Sequence, residues 1–251
     1  MDLNLTGKTA LVTGSSRGIG FAIAGALHHE GCHVALNGRQ PEILSQACSQ
    51  LPGSLPIAGD ASVFAQAKQI VERAIATMGN LDILVCNVGS GKSVPPGSET
   101  PEEWQRVFAL NLWSTTNMVE ASSSALVQTK GSIVCISSIC GLEVIPGAPV
   151  TYSAAKAALN AYVRGISRTL GSQGVRINAI APGNILFNGS VWSRKVQEDK
   201  ETVDAMLKRD VSLTRLGTPE EVAHLACYLA SPVSSFITGV VYTLDGGQVR
   251  R

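Results

Sequence analysis

The stretch Thr9-Ala10-Leu11-Val12-Thr13-Gly14-Ser15-Ser16-Arg17-Gly18-Ile19-Gly20 carries an apolar, β-branched run into a glycine-rich turn, and its reading decides the fold. Gly14, Gly18 and Gly20 stand at G-x3-G-x-G spacing between a strand-like and a helix-like segment. At such a junction the chain must turn sharply, let a diphosphate approach the backbone, and pack the helix closely on the strand. A Cβ would obstruct each of these. The helix start presents free N–H groups and a positive dipole end to the phosphates, with Ser16, Arg17 and Ile19 in the same turn. A dinucleotide cradle at the first strand-to-helix junction is the expectation.

Working outward, TALVT (9–13), CHVALN (32–37), LPIAG (55–59), LDILVC (81–86), SIVCIS (132–137), VRINAIA (175–181) and VVYTLD (240–245) are strand-like. Helices are predicted over 18–30, 41–50, 62–78, 101–128, 152–172 and 219–230. Thr100 before Pro101 and Glu103 announces the fourth of them. The alternation predicts an α/β fold, and strands apolar throughout imply a mostly parallel, doubly wound sheet with helices on both faces. A single domain over 1–251 follows, since one α/β domain accommodates this length. Two stretches break the rhythm. Residues 89–100, GSGKSVPPGSET, follow the fourth strand at what should be the ligand-bearing edge. Residues 184–217 follow the sixth strand, mix bulky apolar side chains with charges, and are expected to form a mobile flap over the site.

Of 251 residues 45% are apolar, and 20 Lys+Arg against 19 Asp+Glu give a net charge of +1. With no Lys/Arg run longer than two residues, neither nucleic acid nor an anionic membrane surface is an expected partner. The start MDLNLTGKTALVTG has no basic flank, apolar block or small-residue cleavage site, and no apolar run is long enough to span a bilayer. The expected location is cytoplasmic. The charged fraction, 16%, is low against about 25% in typical domains, which suggests surface covered in a homo-oligomer. The six cysteines form no CxxC pair, and several lie in apolar runs, so buried free thiols are expected. His28, His29 and His33 have no ligand partners at metal spacing, and no metal is expected.

Cofactor choice is decided at the end of the second strand, where an acidic residue would engage a ribose 2′-hydroxyl. Here the run is Leu36-Asn37-Gly38-Arg39. Without a carboxylate to repel a 2′-phosphate, and with Arg39 and Arg17 able to grip one, NADP(H) is preferred over NAD(H). The alternative is that Arg39 is a solvated turn residue.

Tyr152 and Lys156 are four apart in TYSAAKAALNAYV, a helical pattern that puts both on one face. Bringing a phenol of pKa about 10 to neutrality requires about 3 units, or roughly 4 kcal/mol. A lysine charge about 4 Å away at an effective dielectric near 20 supplies about that much.

TGSSRGIG (13–20), CNVG (86–89), Asn111 in LNL, ISSICG (136–141), YSAAK (152–156), PG (182–183) and LDGG (244–247) occur in an order that resembles the short-chain dehydrogenase/reductase family. The likeness covers essentially the whole chain and is strongest to reductases of the 3-oxoacyl-carrier-protein type. It implies a seven-stranded Rossmann sheet, NAD(P)-dependent carbonyl/alcohol chemistry and frequently a tetramer. Tyr152 would be the general acid/base, and Ser138 would hydrogen-bond the carbonyl oxygen. Lys156 would hold the nicotinamide ribose and lower the Tyr152 pKa, while Asn111 would anchor a water linking Lys156 to solvent. Cofactor contacts would fall on Gly14, Ser16, Arg17, Gly18, Ile19, Gly20, Asn37, Arg39, Asp60, Asn87, Gly89, Tyr152, Lys156, Pro182, Gly183 and Ile185.

The chain departs from the family pattern in several places. Ser138 lies one residue further from Tyr152 than is usual, leaving Ser137 as an alternative. Cys86 and Val88 replace common family residues around Asn87 and Gly89. Phe187 stands where a threonine commonly contacts the cofactor. Gly38 replaces a larger polar residue, which frees Arg39. Candidate substrate-pocket residues are Ser90, Lys92, Val94, Trp113, Val144, Ile145, Pro146, Phe187, Trp192 and Met206. The aromatic members could stack on a ring, cover an acyl chain or complete the core. Five basic and four acidic residues over 194–209 give little support for a strongly anionic substrate. A 3-oxoacyl thioester and a sugar derivative both stay open as substrates. A non-catalytic dinucleotide-binding protein is the reading from another class. Arg250-Arg251 could reach a neighbouring subunit.

Overall fold

Seven short strands pair in parallel, the central ones buried throughout and the edge strands β3 and β7 partly exposed. The computed structural model describes residues 2–250; Arg251 lies outside the described residues. β1 (Thr9–Val12), β2 (His33–Gly38), β3 (Leu55–Ala58), β4 (Ile83–Cys86), β5 (Ser132–Ile136), β6 (Arg176–Pro182) and β7 (Val241–Leu244) occupy the predicted runs. They form one sheet in the order β3-β2-β1-β4-β5-β6-β7. The order reverses between β1 and β4, and in open α/β sheets ligands bind beyond the carboxyl ends of the strands at such a switch point.

Side-chain alternation divides the interior in two. Val12 and Val85 face α1 (Gly18–His29), α2 (Pro41–Ser49) and α9 (Pro219–Ala230), packing with Ile23, Leu27, Leu44 and Val222. Leu11 and Leu84 face the other way, toward α3 (Phe64–Met78), α5 (Ser114–Thr129) and α6 (Val150–Gly171), and pack with Ile70, Met118, Leu159 and Val163. Cys32, Cys86, Cys135 and Cys227 are buried and Cys48 and Cys140 partly so, all as free thiols. No helix among the described residues is long and apolar enough to cross a membrane.

The single helix expected over 101–128 is interrupted. α4 (Pro101–Phe108) starts as predicted, with the Thr100 hydroxyl accepting from the Glu103 N–H at 3.3 Å. A π-helical turn, Ala109–Trp113, then separates it from α5. The wider turn brings Asn111 fully inside, where its amide donates to the Ser90 carbonyl at 3.1 Å and the Val107 carbonyl at 3.0 Å. Such turns recur at functional sites because they re-aim one side chain without ending the helix.

Residues 184–217 form two helices, α7 (Val191–Glu198) and α8 (Lys200–Asp210), capped by Ser190 and Asp199. Val203, Leu207 and Val211 build a small cluster with Trp192, Val196, Met206 and Leu216, separate from the two main cores. The segment's ends are laced together: Leu186 N–H donates to the Gly217 carbonyl at 2.8 Å and Gly217 N–H to the Asn184 carbonyl at 2.9 Å.

Leu84 is fully buried in the central strand. Leu84→Ala should destabilise the protein by about 2–5 kcal/mol, read by urea unfolding; a smaller loss would mean that the core collapses around the deletion.

Candidate active site

The glycine turn is fastened to the strands on either side of it. Ser15 donates to the Val12 carbonyl at 2.7 Å and accepts from the Asn37 N–H at 3.0 Å. From β4, Asn87 donates its backbone N–H to the Thr13 hydroxyl at 3.0 Å and its amide to the Gly14 carbonyl at 2.9 Å. Gly14 and Gly18 hold φ near +60°, where a side chain is strained. A Cβ on Gly20 would collide with the Asn87 amide nitrogen and the Gly14 carbonyl oxygen. The N-terminus of α1 carries no side-chain cap and no acidic residue in its first turn. These features fit a dinucleotide diphosphate, which takes the donors and the dipole end that such a terminus leaves open.

Around the turn, Arg17 is exposed, Ser16 and Ile19 are half-buried, and Arg39 is 69% exposed. Arg39 pairs loosely with Asp60 at 3.8 Å, while the Asp60 carboxylate also accepts from the Ser62 N–H at 2.9 Å and hydroxyl at 2.6 Å. Asn37 departs from the expected cofactor contact. It is buried, and its amide donates to the Ile57 and Gly59 carbonyls at 2.9 and 3.1 Å, tying β2 to the end of β3. Phe187 lies with its ring edge 2.6 Å from where a Cβ on Gly18 would be, so the start of the 184–217 segment rests directly on the glycine turn. Ile185 is buried and bridges to Gly217; Pro182 ends β6, and Gly183 donates to the Leu244 carbonyl at 2.9 Å.

Beyond β4 and β5 the second cluster of predicted residues converges. Lys156 is 3% exposed and its Nζ donates to the Ile136 carbonyl at 2.8 Å. The ammonium lies 6.0 Å from the Tyr152 ring centre. Tyr152 shares a hydrogen bond with Ser138, whose Oγ also accepts from the Cys140 N–H at 3.2 Å. Ser137, the alternative, is directed inward, donating to Asn160 Oδ1 at 2.6 Å. A Cβ on Gly89 would stand 2.9 Å from Asn111 Oδ1 and 3.2 Å from Lys156 Nζ, so only glycine lets these groups meet.

The electrostatics differ from the simple pairing expected of a lysine beside a tyrosine. Burial pushes the Tyr152 phenol up to about 12, with the Ser138 hydrogen bond pulling it back. Burial also lowers Lys156 to about 8. Desolvation of both groups thus outweighs the attraction on which the expected lowering of the tyrosine rested. Asn111 also differs: its Oδ1 accepts from the Ser90 N–H at 2.9 Å while its amide bonds the Ser90 and Val107 carbonyls, so its polar atoms hold the loop after β4.

Of the pocket candidates, Trp192 and Met206 pack into the small cluster around Val203, Leu207 and Val211, whereas Trp113 and Val144 are 43% and 95% exposed. Three contributors escaped the sequence reading. The Ile136 acceptor is a backbone carbonyl, and Asn160 shows no motif. Ser93, with its partners Glu103 and Thr151, sits in a loop whose composition gave no sign of order. A capping residue followed by a carboxylate at 100–103 was the only hint of Glu103.

A glycine turn at the switch point, joined to a Ser-Tyr-Lys group around a buried ammonium, defines an NAD(P)-dependent oxidoreductase. Residues 14–248 match the family model described as enoyl-(acyl carrier protein) reductase. The chain belongs to the short-chain dehydrogenase/reductase family. It is 35% identical over 253 residues to 3-oxoacyl-[acyl-carrier-protein] reductase FabG of Chlamydia trachomatis, covering 97% of this chain and 98% of that protein. The crystal structure of L-sorbose reductase from Gluconobacter frateurii, complexed with NADPH and L-sorbose, matches with a TM-score of 0.94 at 28% identity over 100% of both chains. The 3-oxoacyl (acyl-carrier-protein) reductase of Agrobacterium tumefaciens C58 with NADP bound matches with a TM-score of 0.89 at 33% identity, over 98% of this chain and 96% of that one.

Because Lys156 titrates near 8 when folded and near 10.5 when unfolded, the unfolded chain binds the extra proton between those values. Stability therefore rises with pH across that window. Urea unfolding from pH 8 to 10.5 should show the parent gaining on Lys156→Met; parallel curves would contradict the depressed lysine.

Proposed function

We propose that the protein is an NADP(H)-dependent reductase interconverting a carbonyl and a secondary alcohol, with Tyr152 as proton donor and acceptor. The observation carrying this reading is the Tyr152 hydroxyl bonded to Ser138 beside the buried Lys156 ammonium. Gly14, Ser16, Arg17, Gly18, Ile19 and Gly20 would hold the diphosphate. Asp60, Asn87 and Gly89 would contact the adenosine and ribose moieties, and Pro182, Gly183 and Ile185 the nicotinamide end. A nicotinamide cofactor bound there supplies the hydride taken up by the carbonyl carbon.

Tyr152 gives its phenolic proton to the carbonyl oxygen as negative charge grows there, and Ser138 donates a hydrogen bond to the same oxygen. Lys156 would hold the ribose hydroxyls of a bound cofactor and stabilise the phenolate left behind. Asn111 keeps the loop after β4 in place. A phenol near 12 is protonated throughout the neutral range, which suits reduction. Alcohol oxidation needs the phenolate, so its rate climbs with pH.

The exposed Arg39 and Arg17 support NADP(H), since Arg17 is open to solvent and Arg39, held only by a loose 3.8 Å pair with Asp60, can turn toward a 2′-phosphate. The FabG relatives support a 3-oxoacyl thioester as substrate. A keto sugar is the second reading, favoured by the full-length match to the sorbose reductase. We also propose that residues 184–217 act as the substrate flap, and that copies self-associate over the exposed Trp113 and Val150 as a homotetramer.

Tyr152→Phe should lower turnover of acetoacetyl-CoA or L-sorbose by about 10²- to 10⁴-fold and leave NADPH affinity unchanged; retained turnover would remove Tyr152 from the mechanism. Arg39→Asp should weaken NADPH binding and spare NADH, both followed by nicotinamide fluorescence. Unchanged selectivity would return Arg39 to the role of a solvated turn residue.

A further inference from the structure

The segment Ser90–Ser93 runs past Tyr152 and is held at both ends. At one end Asn111 bonds both backbone groups of Ser90. At the other, the Ser93 hydroxyl lies 2.6 Å from Glu103 Oε1 and 2.7 Å from the Thr151 hydroxyl. Between them, Arg106 donates to the Lys92 carbonyl at 2.9 Å and Lys92 N–H to the Ser90 hydroxyl at 3.1 Å. A Cβ on Gly91 would stand only 3.8 Å from Cε1 of Tyr152.

The proton directions follow from chemistry. Glu103 is held at about 2 by its bonds from Arg106 and Ser93, so it is ionised at any working pH and only accepts. Ser93 has one proton and gives it to the carboxylate, which leaves Thr151 to donate to Ser93. Thr151 is fully buried, so no water replaces Ser93 as its acceptor. Arg106 fixes the carboxylate itself with two bonds of 2.7 Å. Thr151 and Tyr152 are consecutive in the first turn of α6, so the chain Thr151–Ser93–Glu103 joins the loop, α4 and the turn that bears the phenol.

We infer that Ser93 is a positioning residue: held between Glu103 and Thr151, its hydroxyl fixes residues 90–93 against the first turn of α6, so that a carbonyl substrate meets a pre-shaped wall beside Tyr152. The inference rests on the proposed role of Tyr152. The loop is ordered before substrate arrives, and removing the hydroxyl loosens that wall while the glycine turn, which touches none of these residues, keeps its cofactor contacts.

The test compares the full-length parent with Ser93→Ala, Ser93→Thr and Tyr152→Phe. Amide hydrogen exchange over 89–98 should accelerate in Ser93→Ala, with exchange over 13–20 and NADPH affinity unchanged. With acetoacetyl-CoA or L-sorbose, whichever the parent reduces, kcat should fall about 10-fold, the scale of a small misplacement of reacting groups. Ser93→Thr, which keeps the hydroxyl, should restore exchange and kcat. Parental exchange and kcat in Ser93→Ala, a matching loss of NADPH affinity, or a Ser93→Thr as impaired as the alanine variant would each overturn the inference. An active Tyr152→Phe would instead overturn the reading beneath it, and the exchange measurement would still judge whether Ser93 holds the loop.

Discussion

An ammonium group buried at the end of a parallel sheet is the constraint around which this molecule is arranged. Removing a lysine charge from water costs several kcal/mol unless polar partners replace its hydration. Lys156 has the Ile136 carbonyl at 2.8 Å, at the point where β5 ends and that carbonyl is no longer needed by a neighbouring strand. Placing the ammonium there dictates the surroundings. Gly89 has no side chain because Asn111 and Lys156 close in on it, and Gly141 has none because the Lys156 backbone packs against it. The π-helical turn exists where Asn111 must face inward to hold Ser90. One buried charge thus fixes the loop after β4, the end of β5, the register of α6 and the interruption between α4 and α5.

Parallel topology brings the cofactor turn to the same place. All seven strands deliver their carboxyl ends to one edge, and the reversal of order between β1 and β4 leaves that edge open above their junction. Asn87 closes the link between the two halves of the site, because it follows β4 yet bonds the Thr13 and Gly14 carbonyls in the turn after β1. Two residues later in the same loop, Gly89 meets the lysine. The distance between glycine turn and phenol is therefore set by a few residues of backbone after β4, not by residues 184–217.

The strands were legible because each is a short apolar run bounded by turn residues, and the glycine turn because its spacing answers a steric demand that few other residue types satisfy. The Tyr152–Lys156 pair was visible as a helical spacing, and Thr100 as a cap. What the sequence concealed has physical reasons. Asn37 has the position of a ribose contact, but its burial is set by β3, which pairs from further along the chain, so its amide turns to Ile57 and Gly59. Asn111 sits in a run with good helical periodicity, and nothing local signals the wider turn, whose cause is a hydrogen bond to the distant Ser90. The titration of Tyr152 depends on desolvation, a property of packing that residue spacing does not encode. Ser93 lies among glycines and prolines that show no helix or strand pattern, although a carboxylate on α4 and a hydroxyl on α6 hold it.

The two walls of the crevice are built on different principles. On one side, Ser90–Ser93 is fixed by hydrogen bonds with Asn111, Glu103, Arg106 and Thr151, so a substitution there disturbs the loop beside the phenol. On the other side, α7 and α8 pack around Val203, Leu207 and Val211, a cluster apart from both main cores and returned to the sheet by the Ile185–Gly217 bridge. Trp192 and Met206 belong to that cluster, so exchanging them remodels the α7–α8 segment without entering the two main cores. Residue changes in this segment are therefore the least costly for the fold, since large-to-small substitutions are felt chiefly by the atoms that pack around them. This separation lets one frame be combined with different segments after β6. It gives a physical reason why a chain with this frame resembles both a 3-oxoacyl-[acyl-carrier-protein] reductase and an L-sorbose reductase.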